Sequence, residues 1–337
     1  MPESPIAVSA VLLCYDCESY IGKALRSVLA QDHDEPIEII VSDDASTDGT
    51  LEVVHSELDR YAGPHSVRLL RQPTNAGGKS AHLNRVVPIT SGDVIVSFDG
   101  DDISEPTRVR RIVERFRQDP EIKAVYSDYT RIDASGRTLG PGRVPHPPPG
   151  TKSNEWFAQV DAYAAGGTLA VRREVFETFG PLDPDIHEDI VLPFRASLLG
   201  ETAFISDPLI KARRHAASLT ADMDRVTSLA AYRARMHLGI ERARRNVESR
   251  LTDIRVAESL MPERAGEFET LRRIVAESME AAELSGQLYS PSLASRIGAL
   301  VRLTMRGAYR DQFAQHAAIV LAPRLYLSYK RRELGLK

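Results

Sequence analysis

The chain has 337 residues, 42% hydrophobic and 27% charged, which is ordinary globular composition and excludes a disordered chain or a small disulfide-stapled scaffold. At this length one large domain with an extension, or two domains, is expected, with a substantial core. The formal net charge of −4 gives no support to nucleic acid as a partner.

The amino-terminal residues lack a basic stretch followed by a long apolar run, so no signal peptide is expected. Residues Ile6–Cys14 are apolar and β-rich and predict a buried strand. Cys14 and Cys17 are the only cysteines, and no second Cys/His pair stands at zinc-finger spacing. They read as thiols around a strand end in a reducing compartment. Tyr20, Ile21, Leu25, Val28 and Leu29 recur at helical spacing. A second apolar run, Ile37–Val41, stops at Ser42-Asp43-Asp44, and capping-type residues then open a helix over Leu51–Leu58. A strand over Val67–Leu70, a helix over Leu83–Ile89 ended by Pro88, and a strand over Val94–Phe98 follow. That last strand stops at Asp99-Gly100-Asp101-Asp102. Val109–Phe116 predicts a helix and Ala124–Ser127 a strand. Gly140–Gly150 holds five prolines and predicts a loop. Ala164–Val171 and Ala203–Ile205 predict further strands, and from Ala221 the chain turns helical. No apolar run approaches the roughly 20 residues that span a bilayer, so a cytoplasmic protein is expected.

Strands alternating with helices imply βαβ units and a mostly parallel sheet, whose ligands bind beyond the carboxyl ends of the strands. Two acidic clusters stand at such ends. Asp99, Asp101 and Asp102 repel one another unless a cation or donors offset them. They read either as a solvated acidic turn or as carboxylates linking Mg²⁺ to substrate phosphates. Asp43 and Asp44 read as acceptors for a nucleobase or ribose, or as helix caps, with Asp48 an equal candidate for the cap. Asn75-Ala-Gly-Gly-Lys79 could approach a phosphate, although neither a P-loop nor a G-x-G-x-x-G turn is present. Glu188-Asp189 stands at the start of a predicted helix over Ile190–Leu199, as a cap or as a general base. Arg213-Arg214-His215 follows a strand-like Leu209–Ile210, where His215 could meet a metal or a phosphate.

The ordered set points further. It runs Val8–Asp16, Ser27–Gln31, Val41–Thr50, Asn75–Gly77, Ala81–Asn84, Ser91–Asp93, Phe98–Asp102, Arg172–Gly180, Glu188-Asp189 and Arg214-His215. Over about residues 5–220 the chain resembles the family 2 glycosyltransferases, inverting enzymes of GT-A fold that use nucleotide sugars. The resemblance implies a GT-A (Rossmann-like) catalytic domain over 1–220, divided near residue 130 into a nucleotide-sugar half and an acceptor half. A helical extension occupies 221–337. It implies Leu13, Tyr15, Asp16, Asp44, Lys79 and Asp101 around the nucleotide sugar. It implies Asp102 as ligand of a Mg²⁺ or Mn²⁺, with Asp99 and His215 as helpers. Asp189 matches the general base, with Glu188 its neighbour. A UDP-sugar donor, a glycan or lipid-linked acceptor, and a setting in bacterial surface polysaccharide or glycolipid assembly follow from the same resemblance. The first turn departs from the family's usual Pro-Thr-Tyr-Asn, reading Leu13-Cys14-Tyr15-Asp16, which adds negative charge near a phosphate site. A sugar nucleotidyltransferase would want a glycine-rich basic loop after the first strand, and Tyr15–Tyr20 has none. A non-catalytic nucleotide-sugar-binding scaffold would be favoured by loss of the base, and Asp189 is present.

The tail differs in charge. From Gln287 to Lys337 the balance is +7, against −11 for the remainder. Leu293, Ile297, Leu300, Val301, Met305 and Ala308 fit one helical stripe, while Arg302, Arg306 and Arg310 recur on another face. Tyr326, Leu327 and Tyr329 precede Lys330-Arg331-Arg332. The tail reads either as a helical extension packed on the catalytic domain or on a twin subunit, or as a patch for an anionic membrane surface.

Overall fold

The computed structural model of the chain describes residues 6–159, 161–215, 229–288, 290 and 292–305. The amino-terminal half is built from parallel strands β1 (Val8–Cys14), β2 (Glu38–Asp43), β3 (Ser66–Arg71) and β4 (Val94–Asp99). Helices α1 (Ile21–Leu29), α2 (Thr50–Leu58) and α3 (Lys79–Val86) connect them. The chain continues through β5 (Ile103–Ser104), α4 (Arg108–Gln118), β6 (Ile122–Asp133), β7 (Thr138–Gly142) and α5 (Ser153–Phe157). Then come β8 (Ala170–Arg172), α6 (Arg173–Phe179), α7 (Glu188–Leu199) and β9 (Glu201–Arg214). The carboxyl-terminal region is helical: α8 (Leu229–Leu260), α9 (Ala265–Gln287) and α10 (Leu293–Met305).

One nine-stranded sheet runs in the order β3-β2-β1-β4-β8-β6-β9-β5, with β7 added to β6. The first four strands are parallel, as the alternating pattern predicts. Beyond them β8 is antiparallel to both β4 and β6, while β6 and β9 pair in parallel. The result is a mixed sheet flanked by helices. Both faces are covered, which explains why its central strands read as continuous apolar runs rather than alternating ones. Ala10 and Leu12 of β1 pack against α1 and α4, whereas Val11 and Leu13 face the opposite core.

Several elements differ from the sequence expectations. The helix expected over Leu83–Ile89 begins at Lys79 and ends at Val86, and Pro88 sits in a short 3₁₀ turn. Ala164–Val171 contributes only Ala170–Arg172 to the sheet, because Gly166–Thr168 forms a 3₁₀ turn. β7 reaches into the proline-rich segment as far as Gly142, where only a loop was expected. β6 and β9 are far longer than their apolar centres predict.

The helical region is fused to the rest. Ile254 and Ala257 of α8 and Phe268, Leu271 and Val275 of α9 belong to the same buried core as Tyr126, Phe157, Leu192 and Phe194. α10 packs on α9 through Ala299 and Leu303, both buried. The stripe expected on α10 turns outward instead, with Leu293, Ile297 and Val301 exposed. The remaining tail features, Arg306 to Lys337, lie outside the described residues.

Candidate active site

The register brings the two acidic clusters to one edge. Leu13 pairs with Asp99, and Cys14 with Asp43, so the ends of β1, β2 and β4 lie side by side. The Gly100 N–H donates to the Leu13 carbonyl (2.9 Å), folding the acidic turn back onto β1. A Cβ at Gly100 would lie 2.8 Å from Cys14 Cβ and 3.0 Å from Cys17 Sγ, so the close approach requires glycine. The two buried thiols are the floor under the acidic turn, and no disulfide joins them.

Each carboxylate of that turn has a different partner. Asp99 Oδ1 lies 2.6 Å from Lys79 Nζ. Asp101 Oδ2 lies 3.0 Å from His215 Nε2. Asp102 Oδ1 accepts the Arg213 backbone N–H at 2.7 Å, and the Arg213 Nε donates to the Asp101 carbonyl at 2.8 Å. The end of β9 thereby lies over the turn, and the Tyr20 ring rests against both Arg213 and His215. Arg108, wholly buried, donates to the Ser97 carbonyl and to Ser104 Oγ below the cluster. Burial pulls its guanidinium down to about 10, opposed by Asp99 and Asp102. Burial, then repulsion from Asp101 and Asp99, holds the Asp102 carboxyl well above the usual range. Asp101 is raised by burial and by Asp99.

Across the cleft, α7 opens on Glu188 and Asp189. Lys79, the first residue of α3, reaches both sides, its Nζ standing 3.1 Å from Glu188 Oε1 as well as on Asp99. Burial opposes its charge, but the two carboxylates more than offset this and keep it protonated. α3 also holds the loop before α7: Ser80 Oγ donates to the Ile186 carbonyl, and Asn84 exchanges hydrogen bonds with the Leu182 backbone at 2.7 and 2.8 Å. The Asp189 carbonyl accepts the Ala164 N–H at 2.9 Å. Burial, then the Glu188 charge, pushes the Asp189 carboxyl up to about 7 against the pull of Lys79. Gly167 lies against the acidic turn, where an added Cβ would stand 2.9 Å from Asp99 Oδ2 and 3.2 Å from Asp102 Oδ2, while at Gly166 it would meet the Glu188 carboxylate.

The expected nucleotide-side residues are close by but engaged. Tyr15 is half exposed beyond β1. The Leu13 side chain is buried in the core, leaving its backbone at the site. Asp16, with φ of 42°, accepts the Thr47 N–H at 2.7 Å, which turns its charge toward a backbone donor. The Asp44 carboxylate accepts the Ala76 N–H at 2.9 and 3.0 Å and so anchors the Asn75–Gly77 loop. Neither Asp43 nor Asp44 caps α2, whose N-cap is Gly49; Asp48 just before it accepts the Thr50 N–H at 3.0 Å, and Asp43 accepts the Ser46 N–H at 3.0 Å.

Among the described residues no three His, Cys, Asp or Glu groups form a ready-made metal cage. The donor set nevertheless fits a hard divalent cation. Mg²⁺-type sites commonly use one or two protein carboxylates completed by substrate phosphates and water. Here Asp101 and Asp102 are partly exposed neighbours whose carboxyls are both raised by desolvation and by Asp99, that of Asp102 by Asp101 as well, so added positive charge between them would be favoured. The sequence motifs did not expose Arg108, Tyr20, Gly167 or Tyr163. Tyr163 is partly exposed, and its phenol is raised by burial first, then by Tyr129 and the Asp189 charge. No spacing rule marks these residues, because the sheet brings them in from separate elements.

The sequence pattern of glycosyl transferase family 2 matches residues 9–180. An uncharacterised glycosyltransferase of Nostoc sp. is 29% identical over 244 residues, covering 69% of this chain and 72% of its own. Chondroitin synthase of Escherichia coli is 31% identical over 135 residues, covering 40% of this chain but only 19% of its own. Among solved structures, residues 1–349 of Staphylococcus aureus TarS superpose with a TM-score of 0.52 at 17% identity, covering 90% of this chain and 93% of that one. The mannosyltransferase PcManGT from Pyrobaculum calidifontis, solved with GDP-Man and Mn²⁺, gives 0.52 at 18% identity over 97% and 86% of the two chains. These likenesses place the fold among glycosyltransferases, and the match over residues 9–180 spans half of the chain. The chain therefore belongs to glycosyl transferase family 2.

Proposed function

We propose that the protein transfers a sugar, with inversion, from a nucleotide-diphosphate donor to an acceptor hydroxyl. The observation that carries this reading is Lys79, whose ammonium joins Asp99 at the end of β4 to Glu188 beside Asp189. Donor carboxylates and a base of suitable basicity thus share one cleft. Asp44, Tyr15, Asp16 and the backbone at Leu13 line the nucleoside end. Asp102 would hold a Mg²⁺ or Mn²⁺, with Asp99, Asp101 and His215 near it. Such a cation, when bound, neutralises charge that develops on the diphosphate leaving group. Asp189 accepts the proton of the acceptor hydroxyl as that oxygen attacks the anomeric carbon from the face opposite the leaving group. One displacement inverts the configuration, and general-base assistance is worth about 10²–10⁴-fold. Lys79 ties the acidic turn to the start of α7, and Arg108 supports the turn from below.

Supporting a UDP- or GDP-sugar donor, TarS has been solved with UDP and UDP-GlcNAc and PcManGT with GDP-Man. The similarity to chondroitin synthase supports a glycan acceptor and polysaccharide assembly. We place the enzyme in the cytoplasm, with residues 1–220 as catalytic domain and the basic tail on an anionic membrane surface or a second copy. No helix among the described residues is long and apolar enough to cross a membrane.

A thermal-shift panel of nucleoside diphosphates and their sugars, with and without Mn²⁺, tests the assignment, because a ligand of the native state raises its midpoint. The wild-type chain should shift with UDP- or GDP-sugars only when Mn²⁺ is present. Asp102→Ala should fold and lose that metal-dependent shift. An equal shift in a folded Asp102→Ala protein would remove Asp102 from the donor site.

A further inference from the structure

The catalytic reading leaves one buried ionic cluster unused. Arg195 on α7 and Asp253 on α8 form an ion pair at 3.1 Å with side chains only 5% and 3% exposed. Arg195 also donates to the Gly180 carbonyl at 2.8 Å and to the Pro181 carbonyl at 3.4 Å. Both carbonyls belong to the loop that runs into Glu188-Asp189. One turn before Asp253 on α8, Arg250 is 1% exposed and donates to the Phe157 and Gln159 carbonyls, each at 3.0 Å, and to Asn246. That second loop leads to Ala164, whose N–H holds the Asp189 carbonyl. Asp253 is the near carboxylate for both guanidiniums. A third arginine, Arg264, caps the far end of α7 at the Leu198 carbonyl, 2.8 Å away.

Two arginines thus fasten four backbone carbonyls on the two loops that meet at Asp189, and one carboxylate on α8 balances them. Burying such charges is costly. Apolar residues of the same volume often match or exceed a buried ion pair in stability, so stability alone does not account for the cluster. What an apolar replacement cannot do is hold carbonyls at set positions, since it has no donors. We propose that Asp253, with Arg195 and Arg250, is a positioning unit for glycosyl transfer, through which helix α8 of the carboxyl-terminal region fixes the location of Asp189. The proposal rests on the reading of Asp189 as the base. None of the three residues touches the reacting atoms.

The test uses the full-length chain and two variants. Asp253→Asn removes the charge that balances Arg195. The triple variant Arg195→Met, Arg250→Met, Asp253→Leu fills the same space without charge or donors. Amide hydrogen exchange is measured by peptide over 157–165, 180–192 and strands β1 and β4. Release of UDP or GDP is measured from a panel of UDP- and GDP-sugars with Mn²⁺, water serving as acceptor. The triple variant is expected to stay folded, the relieved cost of burying charge offsetting part of the lost carbonyl hydrogen bonds. Its two loop peptides should exchange faster while β1 and β4 stay protected. Its nucleotide release should fall by about 10- to 100-fold, the scale of a misplacement near 1 Å, with UDP affinity unchanged. Asp253→Asn should show the same exchange and release but melt lower, because it leaves two buried guanidiniums uncompensated, and if it does not fold the triple variant decides. A triple variant with wild-type exchange in both loops and wild-type release overturns the proposal and leaves the cluster as packing. If the wild-type chain releases no nucleotide from any donor, the donor reading fails, while loop exchange still decides whether α8 positions Asp189.

Discussion

As the proposed base, Asp189 meets opposing demands within one side chain. A base must be basic enough to take a hydroxyl proton and still be ionised when the acceptor arrives. Burial and Glu188 raise its carboxyl to about 7, while Lys79 keeps it from rising further. Asp189→Asn should bind nucleotide as the wild type does and lose about 10²–10⁴-fold in kcat, because the near-isosteric amide cannot accept the proton. Near-normal turnover in that variant would assign the base elsewhere. The pH dependence has a definite sign. The working form is the carboxylate, so kcat should climb as pH rises through about 7 and fall below it. A stopped assay from pH 5.5 to 8.5 reads this directly, and a flat profile would contradict the assignment. Asp102 sits in the same acidic field, yet its charge has a different fate. Its elevation reflects burial first and then crowding by Asp101 and Asp99, and a bound cation would relieve the crowding.

At the scale of elements, the site depends on how close strand ends can come. Gly100 lets the acidic turn rest on Cys14 and Cys17. Gly100→Ala should destabilise the fold by about 1–3 kcal/mol through overpacking, since the Leu13 carbonyl, 3.1 Å from the added carbon, is backbone and cannot rotate away. Chemical denaturation measures it, and an unchanged midpoint would show that the turn has slack. The strands carrying both acidic clusters were legible in the sequence because both faces of β1, β2 and β4 are buried and their runs are uniformly apolar. β9 was legible only in pieces. Its 14 residues include Asp207-Pro208, where its register with β6 shifts, and a strand pattern broken by proline reads as two short runs. Of the site, Asp99, Asp101, Asp102, Glu188 and Asp189 stood out as carboxylates at element ends. The Lys79 bridge did not, because Glu188 lies more than a hundred positions away and only tertiary packing makes them neighbours. Lys79 was expected to approach a phosphate. In the fold its ammonium is already held by two carboxylates.

For the whole molecule, the charge difference between tail and body gains a structural counterpart. α10 has two arginines and no acidic residue, and it exposes Leu293, Ile297 and Val301 along one edge. Anionic vesicles should bind the full chain in a salt-sensitive way, with Lys330-Arg331-Arg332 contributing about 3 kcal/mol at low ionic strength. A chain ending at Pro323 should lose this binding and keep nucleotide binding. Failure of the full chain to co-sediment at low salt would favour a tail packed on the catalytic domain or on a second copy. The helical region was legible as helices but not as part of the catalytic core. A sequence boundary marks a change in composition, and Phe268 and Leu271 carry no sign of which core they enter. The reversed strand β8 has a wider consequence. It is clasped by three pairs to β4 and two to β6, so the sheet is joined there by very few residues. Running against its neighbours, β8 brings its beginning, not its end, to the cleft, and everything before it from Arg143 to Leu169 is loop, short helix and turn. That stretch is free of strand register but not of packing, since Phe157, Ala158 and Ala164 are buried in the core and Arg250 holds the Phe157 and Gln159 carbonyls. The tolerant part is therefore the mostly exposed run 145–152 ahead of α5, where a change of length leaves every strand register and both loops at Asp189 in place.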